Sequence, residues 1–133
     1  VNDYVSESLH DTYILLEEWG LWSAASQTVQ GVGTARERDV FFIDDDTALA
    51  VDRQLARCRK RDPDGDENFK VVEAIYVSRL SYRKVSSALG LPTGAIRAVL
   101  DKYAFSLDGR IYEGDHCHKK NIRRILDLRS KKD

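Results

Sequence analysis

A stretch of twenty residues, 82–101, constrains the fold of this chain more than any other part of its sequence. Ser86 is small at the point where two short helices would touch, and Gly90 permits the positive φ of a tight turn between them. The positions whose side chains would hold the two helices together are all apolar: Val85, Leu89, Leu91, Ile96 and Val99. The pattern predicts a helix-turn-helix with its corner at Gly90.

The residues around this pattern support the two predicted helices. Ser81 is placed to cap the first helix and Thr93 the second, because hydroxyl oxygens accept hydrogen bonds from the free N–H groups at a helix start. Pro92 stands just before the second helix, where its missing N–H costs nothing. A second interpretation stays open, since the same residues would suit a helical hairpin packed inside an ordinary helical domain.

In a helix-turn-helix, the second helix enters the major groove of DNA with its amino-terminal residues toward the base edges. Arg97 can donate a bidentate pair of hydrogen bonds to guanine, a contact worth about 1 to 3 kcal/mol of discrimination. Thr93, together with the helix amino terminus, Arg83 and Lys84 are placed to contact phosphates. The expected DNA-binding residues are Thr93, Gly94, Ala95, Arg97, Asp101, Arg83, Lys84 and Lys102.

The rest of the chain is also predicted to be helical, which makes the fold class mainly α. Apolar residues recur at three- and four-residue steps over residues 8–26, 44–61 and 67–79, and Tyr13 belongs to the first of these stripes. Gly20 slightly weakens the first helix. Glycines between residues 27 and 39 predict a loop, and the Asp, Pro and Gly residues at 62–66 predict a break.

A length of 133 residues suits one domain rather than two. We expect a single small helical domain over residues 1–107, with the helix-turn-helix at 82–101. Residues 108–133 form a basic tail that is predicted to be partly helical, because Lys and Arg residues surround apolar ones at helical spacing. Whether this tail binds a partner or packs against the domain stays open.

The net charge of −1 conceals a strong asymmetry along the chain. Residues 1–52 hold 11 acidic and 2 basic residues, for a net charge of −9, and residues 53–133 hold 11 acidic and 19 basic ones, for +8. The basic part suits DNA, whereas the acidic part suits a positively charged protein surface.

Several classes of protein are disfavoured by the sequence. Residues 1–9 lack the basic and apolar regions of a signal peptide, and no apolar run approaches transmembrane length, so we expect a cytoplasmic protein that does not contact membranes. Cys58 and Cys117 are too few for a disulfide framework and are expected to be free thiols. No combination of nucleophile, base and orienting group is evident, so we expect no catalytic residues and no enzymatic activity.

Two clusters invite a metal-site interpretation, but neither supplies enough converging ligands. The acidic residues 44–46 point in different directions on one helical turn, and helix capping explains them more simply. His116, Cys117 and His118 have no second cluster to complete a tetrahedral site. We therefore expect neither a metal nor a cofactor.

Two further groups of residues have both a functional and a structural explanation. Trp19 and Trp22 lie three residues apart on one helical face, where core packing is favoured over stacking on nucleic acid. The basic end of the second helix suits phosphate contacts and a solvated helix end equally well. Its residues are Arg53, Arg57, Arg59, Lys60 and Arg61.

Three segments, in this order and at these separations, carry a family resemblance. They are LLEEWGLW at residues 15–22, DDDTALAVDRQLARCRK at residues 44–60, and the helix-turn-helix at residues 82–101. Together they resemble the late antitermination proteins Q of lambdoid phages, in their small, phage-21-like kind without a zinc finger. The resemblance covers about residues 9–106, and residues 110–133 have no counterpart in it. The helix-turn-helix is also similar to the DNA-reading part of sigma region 4.

The resemblance implies that the protein binds a DNA element near a late promoter and loads onto RNA polymerase paused with its sigma factor. It would travel with the polymerase through pauses and terminators, by narrowing the RNA exit channel. The implied partners are double-stranded DNA and bacterial RNA polymerase with its sigma factor, in the cytoplasm of the bacterial host. Nascent RNA and a second protomer stay open as further partners.

Two other functions compete with antitermination. A conventional helix-turn-helix repressor or activator would act only at its operator, and only transcription through a terminator separates it from an antiterminator. A helical adaptor that binds only protein would bind no DNA even at low salt, where phosphate contacts are strongest.

Overall fold

Six helices make up the described part of the chain, which contains no strand: α1 (Asn2–Gln27), α2 (Asp45–Arg61), α3 (Gly65–Tyr76), α4 (Tyr82–Leu89), α5 (Thr93–Gly114) and α6 (His116–Lys132). The computed structural model describes residues 2–27, 40–114 and 116–132, and within them the side chains of residues 10–25, 40–108 and 122–131. The mainly α prediction is confirmed. The predicted loop at 27–39 lies, beyond Gln27, outside the described residues.

Helix α2 begins and ends with the charges that the sequence suggested. The Asp44 carboxylate caps it, because Oδ2 accepts from the backbone N–H of Thr47 at 3.3 Å and Oδ1 from the Thr47 hydroxyl at 2.6 Å. Asp45 and Asp46 lie in the first turn, and three basic residues lie in the last. Capping and dipole complementation therefore explain the acidic run.

Helix α3 begins two residues earlier and ends three residues earlier than the predicted span of 67–79. It ends at Tyr76 because the chain turns back there, with the N–H of Ser78 donating to the carbonyl of Glu73 at 2.9 Å. Arg79 then adopts a left-handed φ of 57°, which no periodicity in the sequence indicates.

All six helices contribute to one apolar core. Buried side chains come from every helix: Leu15, Leu16, Trp19, Val51, Leu55, Val71, Val72, Val85, Ile96, Leu100, Tyr103, Leu107, Ile122 and Ile125. Core packing of Trp19 is confirmed, and its ring meets that of Phe69 edge to face. Trp22 is half-buried, and its indole N–H donates to Asp45 at 2.8 Å.

Helices α1 and α3 pack so closely at Gly20 that a side chain does not fit between them. A Cβ atom at Gly20 would lie 2.0 Å from the carbonyl oxygen of Tyr76. The sequence alone indicated only that a glycine weakens the helix, and the structure shows why one is needed there.

The buried carboxylate of Glu18 ties α1 to two distant parts of the chain. Its Oε1 accepts from the backbone N–H of Ile43 at 3.0 Å and from that of Phe42, and its Oε2 accepts from Arg129 at 3.0 Å. The side chain of Glu18 is 1 % exposed, so these bonds replace its hydration. The described part of α6 is thus fixed to α1, and α5 continues without a break through the predicted domain limit at residue 107.

No helix among the described residues combines the length and the apolar character needed to cross a membrane.

Candidate nucleic-acid interface

The corner between α4 and α5 forms at the glycine that the sequence indicated. Gly90 has a φ of 67°, a left-handed conformation that a side chain would strain. Ser81 caps α4, since its hydroxyl oxygen accepts from the backbone N–H of Lys84 at 3.2 Å. Val85 and Ile96, one on each side of the corner, are completely buried.

Ser86 also stabilises this corner through hydrogen bonds of its backbone and its side chain. Its carbonyl accepts from the backbone N–H groups of Gly90 at 2.9 Å and Leu91 at 3.2 Å, which satisfies the end of α4. Its hydroxyl donates to the carbonyl of Leu91. The sequence predicted a small residue at this position, but this hydroxyl bond was missed because several small residues would fit.

Two expectations about the corner need correction. Pro92, and not Thr93, occupies the capping position of α5, because the Pro92 carbonyl accepts from Ala95 at 3.0 Å and Ile96 at 3.2 Å. Leu89 is 40 % exposed, although the pattern placed it between the two helices. It ends α4 at the rim of the contact, where the turn at Gly90 leads the chain away.

The amino-terminal half of α5 presents most of the predicted DNA-binding residues to the surface. Thr93, Gly94 and Arg97 are exposed, while Ala95 and Asp101 are half-buried. The other predicted DNA-binding residues are exposed as well: Arg83, Lys84 and Lys102. The face is therefore accessible, as a reading helix requires.

A side chain from α1 organises the two charged residues of this face. The Tyr13 hydroxyl donates to Oδ1 of Asp101, and Nε of Arg97 donates to the same oxygen at 3.2 Å. The Arg97 guanidinium lies 5.7 Å from the centre of the Tyr13 ring, in cation–π range. The nearby Tyr13 and Asp101 raise the pKa of Arg97 above its ordinary value, and a hydrogen bond with Tyr82 adds to the shift.

Tyr13 remains a hydrogen-bond donor at every physiological pH. Burial, followed by the bond to Asp101, raises its pKa from 10.0 to about 12. Near it, Thr12 donates to Asp108 at 2.9 Å, so that α1 fixes α5 at two points. The sequence placed Tyr13 only on the apolar stripe of α1, and nothing local indicates a partner 88 positions away.

Lys102 has an internal partner that the sequence did not suggest. Its Nζ lies 2.9 Å from Oδ1 of Asp62, whose side chain is 2 % exposed. The same carboxylate accepts from Asn68 at 2.8 Å and from the Tyr103 hydroxyl at 3.3 Å. Because the lysine side chain itself is 51 % exposed, its charge still reaches the surface beside α5.

The described side chains include no group of three His, Cys, Asp or Glu residues that could hold a metal ion. Cys58 is a buried free thiol. The side chains of His116, Cys117 and His118 lie outside the described residues.

Comparisons of this chain with protein-family models, with curated proteins and with solved structures give no match.

Proposed function

We propose that this protein is a phage transcription antitermination factor. It binds a DNA element near the late promoter through the amino-terminal half of α5. It associates with RNA polymerase and its sigma factor, and allows the polymerase to read through pauses and terminators. In this account, the α4–α5 corner is a helix-turn-helix similar to that of sigma region 4.

The observation that carries the DNA-binding part is the exposed, oriented guanidinium of Arg97 next to the Gly90 corner. Asp101 and Tyr13 hold this side chain, yet 62 % of it remains exposed. A guanidinium that is already held in place loses less entropy when it binds guanine. Around it, Gly94 and Ala98 leave room for a close approach of the DNA to the helix.

The acidic amino-terminal part of the chain supports the second interaction, with a protein. Residues 1–52 carry a net charge of −9, which opposes DNA and suits a basic protein surface. Of the three segments that resemble antitermination proteins Q, the one at residues 15–22 lies within this part of the chain, and the one at residues 44–60 begins in it. A repressor that acts only at its operator needs no such second surface.

Transcription through a terminator tests the proposal directly. Purified protein, added to bacterial RNA polymerase with its sigma factor on a template bearing a lambdoid late promoter and a downstream terminator, is expected to increase readthrough. An unchanged readthrough with sequence-specific DNA binding would favour the conventional repressor or activator. An absence of DNA binding at low salt would favour the adaptor that binds only protein.

Replacing Tyr13 with phenylalanine is expected to lower the discrimination of the selected DNA site about fivefold, or about 1 kcal/mol, because only part of the lost hydrogen bond to the carboxylate is passed on to Arg97. The ring and its packing stay in place, but Asp101 loses its donor and holds Arg97 less firmly. Competition between the selected duplex and a variant duplex measures this change. Tyr103→Phe is the matched control, because it also removes one tyrosine hydroxyl that is bonded to a carboxylate, that of Asp62, and it is expected to leave the discrimination unchanged. Equal discrimination by wild type and Tyr13→Phe would remove the positioning role.

A further inference from the structure

Three arginines form a row along the exposed side of α2. Arg53, Arg57 and Arg61 are spaced four residues apart, so they lie on neighbouring turns of one face, separated by about 6 Å along the helix axis. All three are exposed, while Val51 and Leu55 on the opposite side are buried in the core. We call these three residues the arginine row.

The arginine row differs from the neighbouring Arg59 in its interactions with acidic side chains. None of its members forms an ion pair within the described part of the chain, whereas Arg59 lies 2.9 Å from Asp66 and 4.9 Å from the centre of the Phe69 ring. Like charges four residues apart destabilise a helix. An anionic partner with regularly spaced charges would turn this repulsion into attraction.

The carboxyl end of the arginine row meets the α5 helix. Arg61 is followed directly by Asp62, whose Oδ1 lies 2.9 Å from Nζ of Lys102. Lys102 lies about one turn beyond Ala98 on α5, and its side chain is 51 % exposed. The carboxyl end of α2 therefore lies beside Lys102 of α5, at the edge of the candidate nucleic-acid interface.

We propose that the arginine row binds the phosphate backbone of the same DNA duplex that α5 reads, an inference that rests on the proposed function. Guanidinium groups bind phosphates through two hydrogen bonds, and a rigid helix presents the three groups at regular intervals to a regular backbone. The contact of the end of α2 with Lys102, next to the helix that is proposed to read DNA, favours duplex DNA over RNA as the occupant. The row supplies affinity and no base specificity.

The salt dependence of binding to a duplex about three helical turns long tests this surface. In a plot of the logarithm of affinity against the logarithm of salt concentration, each phosphate contact contributes about −0.9 to the slope. Losing three contacts is therefore expected to make the slope less negative by about 2.7. The variant Arg53→Gln/Arg57→Gln/Arg61→Gln is expected to show this decrease in steepness, and Arg57→Gln alone a decrease of about 0.9. Arginine-to-lysine replacements at the same three positions are expected to retain the steep dependence.

A matched control removes the same charge elsewhere. Lys70, Arg79 and Lys131 are exposed, and their triple replacement by glutamine is expected to leave the salt dependence within the error of wild type. An equal decrease in both triple variants would overturn the proposal, since net charge alone would then explain it. A decrease on single-stranded RNA of the same length but not on the duplex would also overturn it. If the wild-type protein binds no duplex, the proposed function is contradicted. If the wild-type protein binds and the triple arginine variant shows the same salt dependence, only phosphate binding by the arginine row is contradicted.

Discussion

Replacing Gly20 with alanine is expected to lower the free energy of unfolding by about 3 kcal/mol, at the upper end of the usual cost of overpacking a core. In an exposed helix, the same replacement would stabilise the protein by up to about 1 kcal/mol, because glycine loses more backbone entropy on folding. Here the added methyl group would lie 2.0 Å from the Tyr76 carbonyl oxygen, so α1 and α3 must separate. Urea denaturation followed by circular dichroism measures the difference.

Gly94 offers the matched control for this experiment. It lies in the first turn of α5, and a Cβ atom there would have nothing within 4 Å. Gly94→Ala is therefore expected to stabilise the protein slightly. If Gly20→Ala were as stable as Gly94→Ala, the close contact between α1 and α3 would be wrong.

Replacing Asp62 with asparagine is expected to cost about 3 kcal/mol at neutral pH, because a buried carboxylate that accepts hydrogen bonds from three side chains loses its charge. The carboxylate accepts from Lys102, Asn68 and Tyr103, and an amide nitrogen at this position would face donors instead of accepting from them. Asp66→Asn is the matched control, since Asp66 is 86 % exposed and its ion pair within the described residues is with Arg59 alone. Its expected cost is below about 1 kcal/mol.

The Asp62 carboxylate also makes the free energy of unfolding of the wild-type protein depend on pH in the acid range. The hydrogen bonds from Lys102 and Asn68 lower the pKa of Asp62 from 3.8 to about 2. In the folded protein the group therefore stays ionised where the unfolded chain already binds a proton, and stability falls as the pH decreases from about 4 to about 2. Unfolding free energies measured across this range should show a shallower decline in Asp62→Asn than in Asp66→Asn. Equal declines would contradict the role of Asp62.

The parts of the fold that depend on nearby residues were predictable from the sequence. The start of α2 follows from the carboxylate of Asp44 and the N–H of Thr47, three residues apart, and the corner follows from the conformational freedom of Gly90. The end of α3 was not predictable, because the left-handed conformation of Arg79 leaves no periodic signal.

The organisation of the candidate site depends on contacts that sequence spacing does not reveal. The exposed residues of α5 were identified from the helix-turn-helix pattern alone. The contacts that hold these side chains in place could not be predicted, because Tyr13 lies 88 positions from Asp101 and Lys102 lies 40 positions from Asp62. Helical periodicity correctly assigned Tyr13 to a face of α1, but it carries no information on which polar group its hydroxyl meets.

In the proposed function, the amino-terminal half of α5 reads the bases of DNA. Selection of duplexes from a randomised pool tests this reading most directly. Wild-type protein is expected to enrich a common sequence that contains a guanine read by Arg97. Arg97→Ala is expected to lose about tenfold or more in preference for that guanine, while Lys70→Ala, which removes one exposed charge on α3, keeps it. Enrichment of the same sequence with the same affinity by folded Arg97→Ala would contradict the account.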